Sequence, residues 1–88
     1  MEKMDALLEA HKLIHGERAE TYGSASHFFH RLARLFSEYL GYKVSAKDVV
    51  VFMIFLKLER LRNSDYKHRD SLVDMAGYVG LLDEIIGE

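Results

Sequence analysis

The feature that most constrains the fold is an apolar run of eight residues, Val49-Val50-Val51-Phe52-Met53-Ile54-Phe55-Leu56, in a chain without a single proline. Ser45-Ala46-Lys47-Asp48 stands directly before it, and a hydroxyl three residues ahead of a carboxylate is a near relative of the capping box that opens a helix. The β-branched and aromatic residues make a buried strand the competing reading. Helix is favoured because the pattern runs on to Arg62 through Leu58 and Leu61 among good helix formers. A helix that is apolar on every side must lie at the centre of a fold or face a partner chain. With no proline to interrupt it or its neighbours, the chain reads as all-α.

Three further helices complete the expected bundle. From about Lys3 to His15, Met4, Leu7, Leu8, His11 and Ile14 recur at helical spacing, and Gly16 can end the segment. Glu17 to Gly23 is ambiguous between a short helix and a connection. Ser24 or Ser26 can cap a second helix reaching about Tyr39, with Phe28, Phe29, Leu32, Leu35, Phe36 and Tyr39 on its apolar side and Gly41 as its stop. Asn63 to His68 reads as a loop. The last helix runs from about Asp70 to Ile86, with the stripe Leu72, Met75, Val79, Leu82 and Ile86. Gly77 and Gly80 inside it cost about 1 kcal/mol each relative to alanine, which suggests a close approach by a helix or a ligand. The expectation is one domain over residues 1–88, a bundle of about four helices ending in an antiparallel helical hairpin.

Composition narrows the function classes. Nearly half of the 88 residues are apolar, a surplus for so small a domain that points to a homo-oligomer. The absence of cysteine excludes disulfides and thiolate metal sites and fits a reducing cytoplasm. A net charge of −2 argues against a general DNA or RNA binder. Eight apolar residues fall far short of the roughly 20 needed to cross a bilayer, and no signal peptide is visible, so no membrane partner is expected.

The charges are unevenly spread. Lys57, Arg60, Arg62, Lys67 and Arg69 crowd one stretch, whereas every charged residue after Arg69 is acidic. Lys57 and Arg60 share a helix face, as do Asp70 and Asp74. Folding the hairpin about Tyr66 sets Lys57 level with Asp74, either as a salt-bridged lock or as the floor of a polar pocket. A second constellation joins Arg18 and Tyr22 to a helix carrying His27, His30, Arg31 and Arg34. Arginine for phosphate, tyrosine for stacking and free N-terminal amides suit a nucleotide, and a solvated basic face is the plainer alternative. His11 with His15, and His27 with His30, have metal-ligand spacing but lack an evident third ligand. No P-loop, dinucleotide glycine motif or serine nucleophile elbow is present.

Gly16-Glu17-Arg18, Tyr22-Gly23, Phe29, Tyr39-Leu40-Gly41, Asp48-Val49, Lys57-Leu58-Glu59-Arg60, Asp70-Ser71 and Asp74-Met75-Ala76-Gly77-Tyr78 together resemble a group of short, uncharacterised phage and prophage proteins. These are distantly similar to the all-helical MazG-like nucleotide pyrophosphohydrolases. The resemblance implies a helical nucleotide-handling fold that oligomerises in the host cell cytoplasm. It departs from the MazG-like pattern of two carboxylate pairs: Asp70 and Asp74 are four apart rather than three, and Glu59 stands between Lys57 and Arg60. Basic neighbours repel a divalent ion and attract phosphate. The leading expectation is therefore a non-catalytic protein with no cofactor, an oligomeric sponge for a linear or cyclic nucleotide signal of host defence. In it Arg18, His27, Lys57, Arg60, His68 and Arg69 would serve the phosphates. Tyr22 and Tyr78 would line the base, and Asp70, Ser71 and Asp74 would bind sugar or base atoms. Two alternatives stand beside it: a magnesium-dependent pyrophosphohydrolase using Glu59, Asp70 and Asp74, and a purely structural interaction module.

Overall fold

The computed structural model describes residues 5–15 and 24–88. Four helices make up most of it: α1 (Ala6–His15), α2 (Ala25–Leu40), α3 (Ala46–Asn63) and α4 (Arg69–Ile86). Among the described residues there is no strand. The all-α expectation holds, and the segment Glu17 to Gly23 with its Arg18 and Tyr22 lies outside the described residues.

Local chemistry explains where each helix starts and stops. Ser24 caps α2 by accepting the His27 N–H at 3.1 Å, and Gly41 ends it in the left-handed region at φ 80°. There the Gly41 N–H reaches the Ser37 carbonyl at 2.9 Å, a closure a side chain would strain. The Ser37 hydroxyl then buckles the α2–α3 connection. It accepts the Val44 N–H at 2.8 Å and lies 2.8 Å from the Ala33 carbonyl. The capping box of α3 is complete: Asp48 N–H meets Ser45 Oγ at 3.2 Å, and Ser45 N–H meets Asp48 Oδ2 at 3.1 Å. This start fixes the competition between strand and helix in favour of helix, because two otherwise unpaired backbone donors are satisfied before the apolar run begins.

The turn from α3 to α4 positions the charged edge. Ser64 Oγ donates to the Leu61 carbonyl at 2.8 Å and accepts the His68 N–H at 3.0 Å, while Tyr66 N–H donates to the same carbonyl at 2.8 Å. Asp65 and Tyr66 both lie in the left-handed region, at φ 58° and 62°. Aspartate tolerates that conformation, whereas for tyrosine it is costly, so the hydrogen bonds around Ser64 must hold it. The return is tight enough to run α3 and α4 antiparallel.

The core gathers Phe29 and Ala33 of α2, Val44, Ala46, Val49 and Val50, and Leu81 and Ile85 of α4, with Met53, Ile54 and Tyr78 packed against them. Phe29 is its aromatic centre, meeting Phe28 edge-on at 5.4 Å and Tyr78 edge-on at 5.9 Å between ring centroids. On α1, which lies against α4, the side chain buried is Ala10, small enough to bring two helices close.

The burial differs from the apolar stripes in the sequence. Leu72, Val79 and Ile86 of α4 are exposed, and Ser71, Val73, Leu81 and Ile85 are buried in their place. The contacts of Asp74 with Lys57 and of Tyr78 with Phe29 set that rotation, since an α4 apolar on most sides has no other reason to choose it. Likewise Leu7, Leu8, Phe28, Leu35, Phe36 and Tyr39 are exposed, and α3 is central on one face only. The radius of gyration is 14.0 Å, against about 12 Å for a compact chain of this length.

Replacing Ser45 with alanine removes one of the two bonds of the capping box. Urea unfolding should show a loss of about 1 kcal/mol with the m-value unchanged.

Candidate functional site

The edge of the core beside the α3–α4 turn is where the sequence-predicted charges meet. Lys57 Nζ lies 3.0 Å from Asp74 Oδ2, as folding the hairpin about Tyr66 requires. Lys57 is 14% exposed and Asp74 33%, so the pair sits at the rim of the core rather than in bulk water. Such a position makes the two charges mutually dependent: a lysine brought out of water needs its counter-charge, and losing either leaves the other poorly solvated.

Two further contacts build out from this pair. His68 Nδ1 and Ser71 Oγ are 2.5 Å apart, with Ser71 fully buried one turn into α4. Ser71 thus anchors the start of α4 from inside. On the other flank Arg69 Nη1 lies 2.6 Å from Glu9 Oε2, tying α1 to the same edge. Glu9 is absent from the sequence-predicted site. Its role depends on α1 packing on α4, a contact sixty residues apart in the chain that no local pattern announces.

Around these fixed groups the exposed side chains are Arg60, Arg62, Lys67 and Asp70. Arg60 and Arg62 stand in the last turn of α3, where cations offset the partial negative charge of the helix end. Asp70 is in the first turn of α4, the complementary arrangement. Glu59 leans toward Arg62 at 3.9 Å, both well exposed. Among the described residues no three His, Cys, Asp or Glu side chains come together as a group able to hold a metal ion. Tyr78 is half-buried and its ring meets Phe29, so part of its surface is committed to the core.

The structure does not bring every sequence-predicted residue to this edge. His27 stands at the start of α2, near the far end of α4, where its charge acts on Glu88. A rise of about 1.5 Å per residue puts roughly 25 Å between the two ends of α4. Arg18 and Tyr22 lie outside the described residues. At that far end a separate polar contact forms: the Ser26 hydroxyl donates to Glu88 Oε1, and His30 Nε2 lies 2.9 Å from Glu88 Oε2. The Ser26 bond first, then the His30 bond, hold the Glu88 carboxyl below its ordinary value of 4.5.

A small all-helical domain with a charged hairpin edge is thus the class defined by the coordinates. The chain belongs to the DUF6378 family, a domain of unknown function that matches residues 5–86. It is 46% identical over 82 residues to the Gene 55 protein of Mycobacterium phage D29, an alignment covering 93% of this chain and 54% of that protein. It is 40% identical over 83 residues to the Gene 55 protein of Mycobacterium phage L5, covering 93% of this chain and 53% of that protein. The chain therefore spans about half the length of these relatives, and its likeness to phage proteins agrees with the residue pattern. No solved structure matches it. No described helix is long and apolar enough to cross a membrane.

A carboxyl with a lowered folded-state pKa stabilises the fold above its ordinary pKa and loses that contribution as pH falls through the folded value. Glu88 should therefore add acid sensitivity below about pH 4.5, the ordinary carboxyl value. Urea midpoints measured from pH 6 down to 3 should fall less steeply for Glu88→Gln than for the parent chain.

Proposed function

We propose that this chain is a non-catalytic nucleotide-binding phage protein that works as an oligomer. It captures a linear or cyclic nucleotide used as a signal in host defence, in the host cytoplasm, and releases it unchanged. The observation that carries the reading is the concentration of cationic groups at one edge, Arg60, Arg62 and Lys67 beside the paired Lys57 and Arg69, next to the N-terminus of α4. Exposed guanidinium groups and free helix-start amides are the chemistry that holds phosphate. Arg60 and Asp70 are exposed there and make the first contacts, to phosphate and to sugar hydroxyls respectively. Lys57, Asp74, His68 and Ser71 set the frame. Arg18 and Tyr22, with Tyr78, contribute phosphate and base contacts from the residues the sequence pattern assigns to the same task.

The link to MazG-like enzymes belongs to this proposal as fold kinship without their reaction. The engagement of Asp74 by Lys57 supports binding over magnesium-dependent hydrolysis, because an ammonium 3.0 Å from the carboxylate competes with a divalent ion for it. A second reading also has a specific observation in its favour. The Lys57–Asp74 and Arg69–Glu9 pairs together clamp α3, α4 and α1, which is what a purely structural module would need.

Native mass spectrometry of the purified protein, followed by denaturation and analysis of released small molecules, separates these readings. A panel of linear and cyclic nucleotides is added, with and without magnesium. An intact nucleotide at fixed stoichiometry is the expected result, with affinity falling at least tenfold in Arg60→Glu while helicity is retained. Nucleotide products appearing only with magnesium would establish the hydrolase. No binding across the panel would leave the structural module.

A further inference from the structure

The outer face of α3 carries a second pattern that shares only Glu59 and Arg62 with the charged edge. Asp48, Phe52, Phe55, Glu59 and Arg62 recur at alternating steps of four and three, the spacing of a coiled-coil seam. They lie opposite the line Val50, Lys57 and Leu61 that faces the rest of the fold. Phe52 is 50% exposed, Phe55 61% and Leu56 50%.

Phe52, Phe55, Leu56 and Leu58 together leave roughly 400 Å² of apolar side chain uncovered on one helix, by the usual size of these residues. That is the size of the largest apolar patch on a typical monomer, about 300–600 Å², and such a patch is often functional. The figure matches the apolar share, a little over half, of the about 800 Å² that each partner contributes to a standard interface.

The charges along the seam select the geometry. Asp48 and Arg62 each stand seven residues from Phe55, on opposite sides. In an antiparallel pair of α3 helices with the two-fold axis at Phe55, Asp48 of each copy comes level with Arg62 of the other. A parallel pair would instead set Asp48 against Asp48 and Glu59 against Glu59, which is repulsive. Arg62 has only a 3.9 Å contact with Glu59, both about two-thirds exposed, so it can turn to a partner carboxylate at little cost.

We infer that two copies of this chain pair through the outer faces of α3, antiparallel about a two-fold axis at Phe55, with reciprocal Asp48–Arg62 contacts at the ends of the seam. The interface is isologous, as a closed dimer requires. It engages Arg62 but leaves the Lys57–Asp74 pair, Arg60 and Lys67 of the charged edge outside the seam, and the inference stands whether or not that edge binds a nucleotide.

Sedimentation equilibrium up to about 100 μM, enough to saturate a dimer of micromolar Kd, tests it together with cross-linking. The parent chain should sediment as a dimer and Phe55→Asp as a monomer. Arg62→Glu should weaken dimerisation at least tenfold. Because the chain has no cysteine, Phe55→Cys places a single thiol at the axis. It should cross-link to a dimer under mild oxidation, while Tyr39→Cys, at a more exposed position, should not. If Phe55→Asp loses its helical circular dichroism, the cross-linking pair decides alone. A monomeric parent chain, a dimer that survives Phe55→Asp, or cross-linking at Tyr39→Cys in place of Phe55→Cys would overturn the inference.

Discussion

One ion pair at the rim of the core, Lys57 with Asp74 at 3.0 Å, fixes the relation between the two longest helices. Apolar packing alone would leave that relation loose, because both α3 and α4 present apolar residues on most of their circumference. Hydrophobic burial is non-directional and roughly proportional to area, so several rotations of α4 would bury similar surfaces. The charge pair removes that degeneracy. It sets the 74, 78, 81, 85 line of α4 toward α3, brings Tyr78 edge-on to Phe29, and carries Ser71 to the interior, where His68 satisfies its hydroxyl. A polar contact that costs desolvation can thus specify which packing is adopted, a role distinct from adding stability.

The same constraint explains what the sequence does and does not disclose. Helix starts are written locally: Ser24, Gly41, and Ser45 with Asp48 act through hydrogen bonds within a few residues, and each terminates or opens a helix where its chemistry predicts. The level pairing of Lys57 with Asp74 is also legible, since a short antiparallel hairpin leaves little freedom of register. The buried faces are not. In α4 the stripe with better periodicity, Leu72, Val79 and Ile86, turns outward, because the rotation is chosen by contacts with other helices. Glu9 and Arg69 meet only through the packing of α1 on α4, and Ser26 and His30 meet Glu88 across the length of the chain. Such partners are set by tertiary geometry, which no single-segment pattern contains.

Function divides along the same lines. The cationic edge follows directly from residues 57–69, and its members Arg60, Arg62 and Lys67 face solvent beside Asp70, while Lys57 and Ser71 are engaged within the fold. The distribution separates groups that hold the edge from groups that face solvent. On the opposite side of α3, Phe52, Phe55 and Leu56, which make the helix look central, turn to solvent, and the proposed pairing with a second copy of the chain would cover them. One helix therefore has a face in the core, an end at the charged edge and an outer face left to solvent.

The most direct test of the central claim, that Lys57 and Asp74 are coupled and orient the hairpin, is a double-mutant cycle of urea unfolding with Lys57→Met and Asp74→Asn. Both groups are partly screened by solvent, so a coupling of about 1–2 kcal/mol is predicted, with the double variant losing less stability than the sum of the two single losses. A coupling indistinguishable from zero, with the hairpin still folded, would contradict it.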